Sequence, residues 1–230
     1  ARLEPRWRIG EKAGYHPATS WFILAELVRR LDGRTYPAYV RDEIFLPLGL
    51  DKSWLGMDDA TRAILQPRLG QMQNTAKRPP APYRDGVSAP AITAPRPGSN
   101  ARGPIRELGR FYRALLDGGA PVLQQETVRA FTTRRRSGTM DATFRHTMDW
   151  GLGFMVNSNR YGADSVPYSF GRHATDHAYG HGGAESSIGF ADPGYALVVC
   201  WVCNGMHGPL PHHARNLAIN TAIYEDLALV

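Results

Sequence analysis

The stretch of this 230-residue chain best suited to chemistry is Gly180-His181-Gly182-Gly183-Ala184. Small residues in an edge-strand segment let a ligand come close to backbone N–H groups, and here one imidazole stands beside them. The β-rich run from Tyr195 to Cys203 and the turn Asn204-Gly205 follow. Tyr15, near the start, adds a phenol. An imidazole, a phenol and accessible N–H groups together suggest a serine acyl-transfer site. The nucleophile that such a site needs is not found in the sequence. His173, His177 and His181 recur at intervals of four, which on a helix would align metal ligands. Tyr179 and the surrounding glycines argue against a helix there, so no metal site is expected.

The elements that must position these groups follow from the apolar spacing. A helix is predicted from Thr19 or Ser20, both good N-caps, with Leu24, Leu27, Val28 and Leu31 as its buried stripe and Gly33 as its stop. Further helices are predicted over residues 36–45, 58–65, 104–116 and 124–132. Between residues 71 and 103, Pro79, Pro80, Pro82, Pro90, Pro95 and Pro97 predict a long loop without regular structure. After residue 140 the pattern turns to strands: residues 150–156, 187–191 and 195–203, the last two forming a hairpin through Asp192-Pro193-Gly194. A helix over residues 211–229 closes the chain. The expected fold class is α/β (α+β), an antiparallel sheet with terminal helices plus a helical lobe. Residues 1–140 would form the helical lobe with the Tyr15 element and the Pro-rich loop. Residues 141–230 would form the strands and last helix, the two together making one domain.

Composition narrows the partners. The net charge is +6, yet only three of the 27 basic residues are lysine, and the arginines are scattered through helices. The one basic run, Arg134-Arg135-Arg136, reads as a solvated loop, so no nucleic-acid partner is expected. No apolar run reaches the 18 residues that span a bilayer, and no membrane partner is expected. Cys200 and Cys203 fall on opposite faces of one strand and read as buried apolar fillers.

Several segments, in order, resemble the serine β-lactamase and penicillin-binding-protein superfamily, in its class C β-lactamase-like esterase branch. Gly14-Tyr15-His16-Pro17 is similar to the family's Tyr-x-Asn element. Pro47-Leu-Gly-Leu50 is similar to its Pro-Leu-Gly-Met signature, and residues 102–119 resemble the helix entering its Gly-Gly turn. Trp150-Gly-Leu-Gly-Phe154 and His181-Gly-Gly183 complete the set. The resemblance implies a β-lactamase-like fold and a serine acyl-enzyme formed on a small ester or amide, without a cofactor. It implies that Tyr15 is the catalytic tyrosine, which takes the serine proton and hands it to the leaving group. His181 takes the place of the lysine of Lys-Thr-Gly, orienting Tyr15 and meeting the substrate's polar end. Gly182 and Gly183 admit the substrate, and the Ala184 N–H is one oxyanion donor. Pro17 stands where the family has Asn and cannot donate the amide bond, which weighs against β-lactam hydrolysis more than against ester hydrolysis.

The departure is the nucleophile. Three residues before Lys12, Lys52 and Lys77 stand Ile9, Gly49 and Asn74, so no Ser-x-x-Lys motif exists. The family's motif lies upstream of its tyrosine element. The expectation is that this N-terminal part of the fold is absent from the chain, which begins without Met; a further option is a two-chain protein in which a separate N-terminal fragment completes the sheet. The alternative is a non-catalytic relative that keeps the cleft for binding.

Overall fold

The computed structural model describes residues 7, 8, 10–83 and 88–230. The chain divides into two compact units. The helical unit comprises His16–Phe111 and Cys203–His207; the sheet unit comprises Ala1–Tyr15, Tyr112–Val202 and Gly208–Val230.

The helical unit opens with α1 (Thr19–Asp32). Its N-cap is Ala18, without a side-chain hydrogen bond, so Thr19 and Ser20 lie inside the helix rather than capping it. Gly33 ends it in the left-handed region (φ 90°), its N–H donating to the Arg29 carbonyl, as its lack of a Cβ allows. The expected buried stripe is not buried. Leu24 is 51% exposed, Leu27 47% and Leu31 87%, and no residue of α1 is buried. The 3.6-residue period marks an apolar face, but it is left largely exposed, only Val28 of the stripe being partly buried.

α2 (Tyr36–Val40) is capped by the Thr35 hydroxyl and continues into a π-helical turn, Arg41–Phe45, filling the predicted span. β1 (Trp54–Leu55) precedes α3 (Asp59–Leu65), where the Asp58 carboxylate accepts from the Thr61 N–H at 2.8 Å. The Pro-rich segment is not the unstructured loop expected. It forms β2 (Gln73–Asn74), β3 (Ala81–Pro82), α4 (Ala89–Thr93) and β4 (Ala101–Arg102). Prolines at strand ends and in the first turn of α4 break no bond those elements need. β4 pairs with β1, and β3 pairs with β2. α5 (Ile105–Leu116) crosses the division between the units. Its buried Glu107 takes the Lys52 N–H and the Ser53 hydroxyl, tying the helix to the turn before β1.

The sheet unit contains α6 (Gln125–Thr132), the small hairpin β5 (Met140–Asp141) and β6 (His146–Thr147), and a five-stranded antiparallel sheet. That sheet consists of β7 (Asp149–Trp150), β8 (Met155–Val156), β9 (Tyr179–Gly183), β10 (Ser187–Asp192) and β11 (Leu197–Val202), in spatial order β11-β10-β9-β8-β7. β12 (Gly205–Met206) returns to the helical unit and pairs with β2, before α7 (Pro209–Asp226) closes the chain. The predicted single strand over 150–156 is instead two short strands. Gly151 turns between them, where a Cβ would collide with the Phe131 carbonyl. The β10–β11 hairpin forms as expected, Asp192 opposite Leu197.

The core lies on β10. Phe190, fully buried, stacks on Phe170 at 4.9 Å, and Tyr224 of α7 closes the same cluster. The Tyr224 hydroxyl donates to Asp192 at 2.7 Å, satisfying two buried polar groups at once. α7 turns a mixed face inward. His212, Asn216, Asn220, Thr221 and Tyr224 are buried, and both asparagine amides donate to the Ser169 carbonyl. Polar residues at four-residue spacing thus seat this helix.

Candidate active site

β9 carries His181, Gly182 and Gly183 within the sheet rather than on an outer strand. Its ladder with β8 covers only Tyr179 and Gly180, while β10 pairs with it through Gly183. From His181 onward the strand has its ladder on one side, so an edge-like segment arises where β8 stops. Gly182 is required by close approach: a Cβ there would strike the Tyr168 ring. Ala184 is exposed at the start of the turn to β10. That turn is pinned to α7, where Glu185 accepts the Gly208 N–H at 3.0 Å and Arg215 donates to the Glu185 carbonyl at 2.9 Å.

The His181 Nδ1 lies 2.7 Å from the Gly182 carbonyl, so it donates, which leaves Nε2 with the lone pair. Burial lowers the imidazole's pKa from its ordinary value, against the pull of that hydrogen bond. The ring is therefore neutral at pH 7. Burial, with the neighbouring Tyr168, pushes the Tyr15 phenol up.

Tyr15 belongs to the sheet unit and its ring lies 5.4 Å from that of His181. It stacks on Phe144 at 5.3 Å and on Trp150 at 5.6 Å, nearly parallel to the latter. Its backbone is held as firmly. The Tyr15 N–H donates to Asp141 Oδ1 at 3.1 Å, and its carbonyl accepts from the Thr143 hydroxyl at 2.9 Å. One residue pair away, Ala13 and Asp141 form a parallel bridge. Tyr15, His181, Gly182, Gly183 and Ala184 are thus all carried by one unit. Pro17 lies in the helical unit, exposed, and Gly98 of the Pro-rich segment abuts its carbonyl so closely that a Cβ would collide. His173, first of the spaced histidines, faces Glu225 at 3.3 Å.

The sequence reading missed the carboxylates that organise this region. Asp141 and Asp149 are both fully buried. Asp149 is met by Arg134 at 2.9 Å, by Arg160 and by the Tyr161 hydroxyl; Asp141 is met by Arg136 at 2.7 Å. Burial works against both charges, yet these donors hold both carboxyls below the usual carboxylate range. Two of the three residues in the basic run therefore face inward, correcting its reading as a solvated loop. A local signal existed: Asp141 accepts from the Thr143 N–H two residues on, the turn that an Asp-x-Thr sequence favours.

Residues 1–222 match the family model described as Beta-lactamase. The chain belongs to the beta-lactamase family. Among curated relatives of this beta-lactamase-family chain, a putative D-alanyl-D-alanine carboxypeptidase of Escherichia coli is 26% identical over 226 residues, covering 85% of this chain and 46% of its own. The esterase/beta-lactamase LipL of Mycobacterium tuberculosis is 26% identical over 232 residues, covering 88% and 51%. A penicillin-binding protein homolog from Caulobacter crescentus superposes with a TM-score of 0.72 at 27% identity, over 97% of this chain and 61% of that one. EstA from Arthrobacter nitroguajacolicus does so at 0.72 and 25%, over 98% and 63%. The chain spans about half the length of the curated relatives it matches. The mixed α/β architecture is that of the family, and the family supports a serine hydrolase of the beta-lactamase-like kind.

Proposed function

We propose that this chain carries the tyrosine–histidine half of a serine acyl-transfer site acting on a small ester or amide, with the nucleophile outside these residues. The observation that carries the reading is the Tyr15 ring lying 5.4 Å from the His181 ring, beside a strand with its ladder on one side only. In this scheme a serine hydroxyl attacks the acyl carbon, Tyr15 takes its proton and the leaving group receives it, giving an acyl-enzyme that water or another acceptor resolves. A phenol raised by burial serves as base only when a cation stands next to it. The proposal therefore needs that cation to arrive with the serine, as in a Ser-x-x-Lys turn. Neutral His181 orients Tyr15 through an uncharged ring and offers Nε2 to the substrate's polar end. The Ala184 N–H and the serine's own N–H form the oxyanion pair. Pro17 offers no amide to a substrate, which favours esters over β-lactams.

A nucleophile-bearing segment would also account for two surfaces, the exposed apolar face of α1 and the outer edge of β11, where Val202 is 55% exposed. A second reading, a non-catalytic binding module, is favoured by the raised Tyr15 phenol, which in the absence of a cation stays protonated and hydrogen-bonds a ligand without taking its proton.

The test is intact mass before and after treatment with a fluorophosphonate. The 25.4 kDa chain alone is expected to stay unlabelled, whereas a longer form, or a companion chain purified with it, takes up the label. Label on the 25.4 kDa chain would place the nucleophile inside it and sink the division proposed here. Label nowhere, with the longer form folded, would leave the binding module.

A further inference from the structure

Four side chains of the sheet unit form a closed ring of contacts around Tyr15. Asp141 Oδ1 gathers three backbone N–H groups, those of Tyr15 at 3.1 Å, Thr143 at 3.0 Å and Phe144 at 3.2 Å. Its other oxygen accepts from Arg136 at 2.7 Å. The Arg136 guanidinium lies 5.4 Å over the Trp150 ring, and the two residues exchange backbone hydrogen bonds at 2.9 and 3.0 Å. Trp150 in turn stacks on Tyr15. Phe144, whose N–H Asp141 holds, stacks on the phenol as well and lies 6.2 Å from Trp150, so the three rings form one cluster.

We infer that Asp141 is a positioning residue for Tyr15: its buried carboxylate fixes the backbone that carries the phenol, and Arg136 couples that grip to Trp150, the ring the phenol lies on. A loop tyrosine would otherwise sample several rotamers, and proton transfer loses rate steeply with misplacement. A buried charge taken up by four donors is an expensive device for a surface hairpin. Its yield is one fixed backbone position for residue 15, 126 residues away in sequence. Asp141 bears on catalysis only if Tyr15 does, so the proposed acyl-transfer role underlies this one.

The test follows the phenol itself. Ring-¹³C tyrosine is incorporated into this chain, and the Tyr15 resonance is assigned with Tyr15→Phe. In the native protein that resonance is expected to carry an upfield ring-current shift from Trp150 and Phe144. Asp141→Ala should abolish the shift. Asp141→Asn, whose amide oxygen still accepts the three N–H groups, should retain most of it. An unmoved Tyr15 resonance in folded Asp141→Ala, with Tyr179 and Tyr224 also unchanged, would overturn the inference. If Asp141→Ala does not fold, Arg136→Gln carries the test: loss of much of the shift supports the coupling, and an unmoved resonance overturns it. In the longer, nucleophile-bearing form, Asp141→Ala should lower kcat with KM little changed and add nothing to Tyr15→Phe. Labelling that survives Tyr15→Phe would sink the role of Tyr15 while leaving the resonance result standing, so the two failures are separable.

Discussion

Strand β10 and helix α1 are both apolar at regular spacing, yet they meet opposite fates. β10 buries Ile188 to Asp192 without a break, whereas α1 has no buried residue and leaves Phe22, Ile23 and Leu24 about half exposed. The strand has ladder partners on both sides and Phe170 and Tyr224 packed on Phe190. Periodicity specifies which face of an element is apolar. Whether that face is covered depends on what the remaining chain supplies.

That contrast can be tested most severely at Phe190. Phe190→Ala should cost about 3–5 kcal/mol of stability by chemical denaturation, because it empties a fully buried aromatic site. A loss under about 1 kcal/mol would mean the strand's burial contributes no more than the helix's exposed face.

Acid sharpens the contrast, because the shifted histidines all sit in the sheet unit. Burial, with the charge of Arg215, holds fully buried His212 down at about 4. Between an unfolded imidazole's pKa of roughly 6.5 and that value, the unfolded chain binds a proton the folded one refuses. Stability should therefore fall as pH drops through this window, by on the order of 1 kcal/mol per pH unit. Denaturant midpoints at pH 7, 6 and 5 read it, and His212→Gln should flatten the curve. A wild-type midpoint constant over that range would show that folded His212 accepts the proton.

The smallest effect is expected on α1. Leu31→Gln, at a side chain 87% exposed, should change the stability of this chain by no more than about 0.5 kcal/mol. In a longer form that covers the helix, the same substitution should cost measurably more. Equal, negligible costs in both forms would mean that α1 keeps its apolar face in solvent.

Much of the framework was legible in residues alone. Gly33 stops α1, α3 falls within the predicted residues 58–65, and the β10–β11 hairpin turns at Asp192-Pro193-Gly194 as read. The His181-Gly-Gly strand was legible because three residues without bulk ahead of a β-rich run admit few readings. The carboxylates were not. Asp141 and Asp149 look like ordinary surface acids, and Arg134 and Arg136 like a solvated run, until chain pairing brings them together. The fate of the Pro-rich segment was equally hidden, since its short strands pair with residues as distant as Gly205 and Met206.

Residue types and local spacing by themselves determined the main helices, the β10–β11 hairpin, and the presence of an imidazole, a phenol and a glycine-lined strand but no Ser-x-x-Lys. These depend on interactions within a few residues, where backbone sterics and capping decide. Only the tertiary structure decided that Tyr15 lies on Trp150 beside His181, that Asp141 grips its backbone, and that α1 stays uncovered. Those outcomes depend on which groups share a desolvated volume, and the sequence does not print that distance.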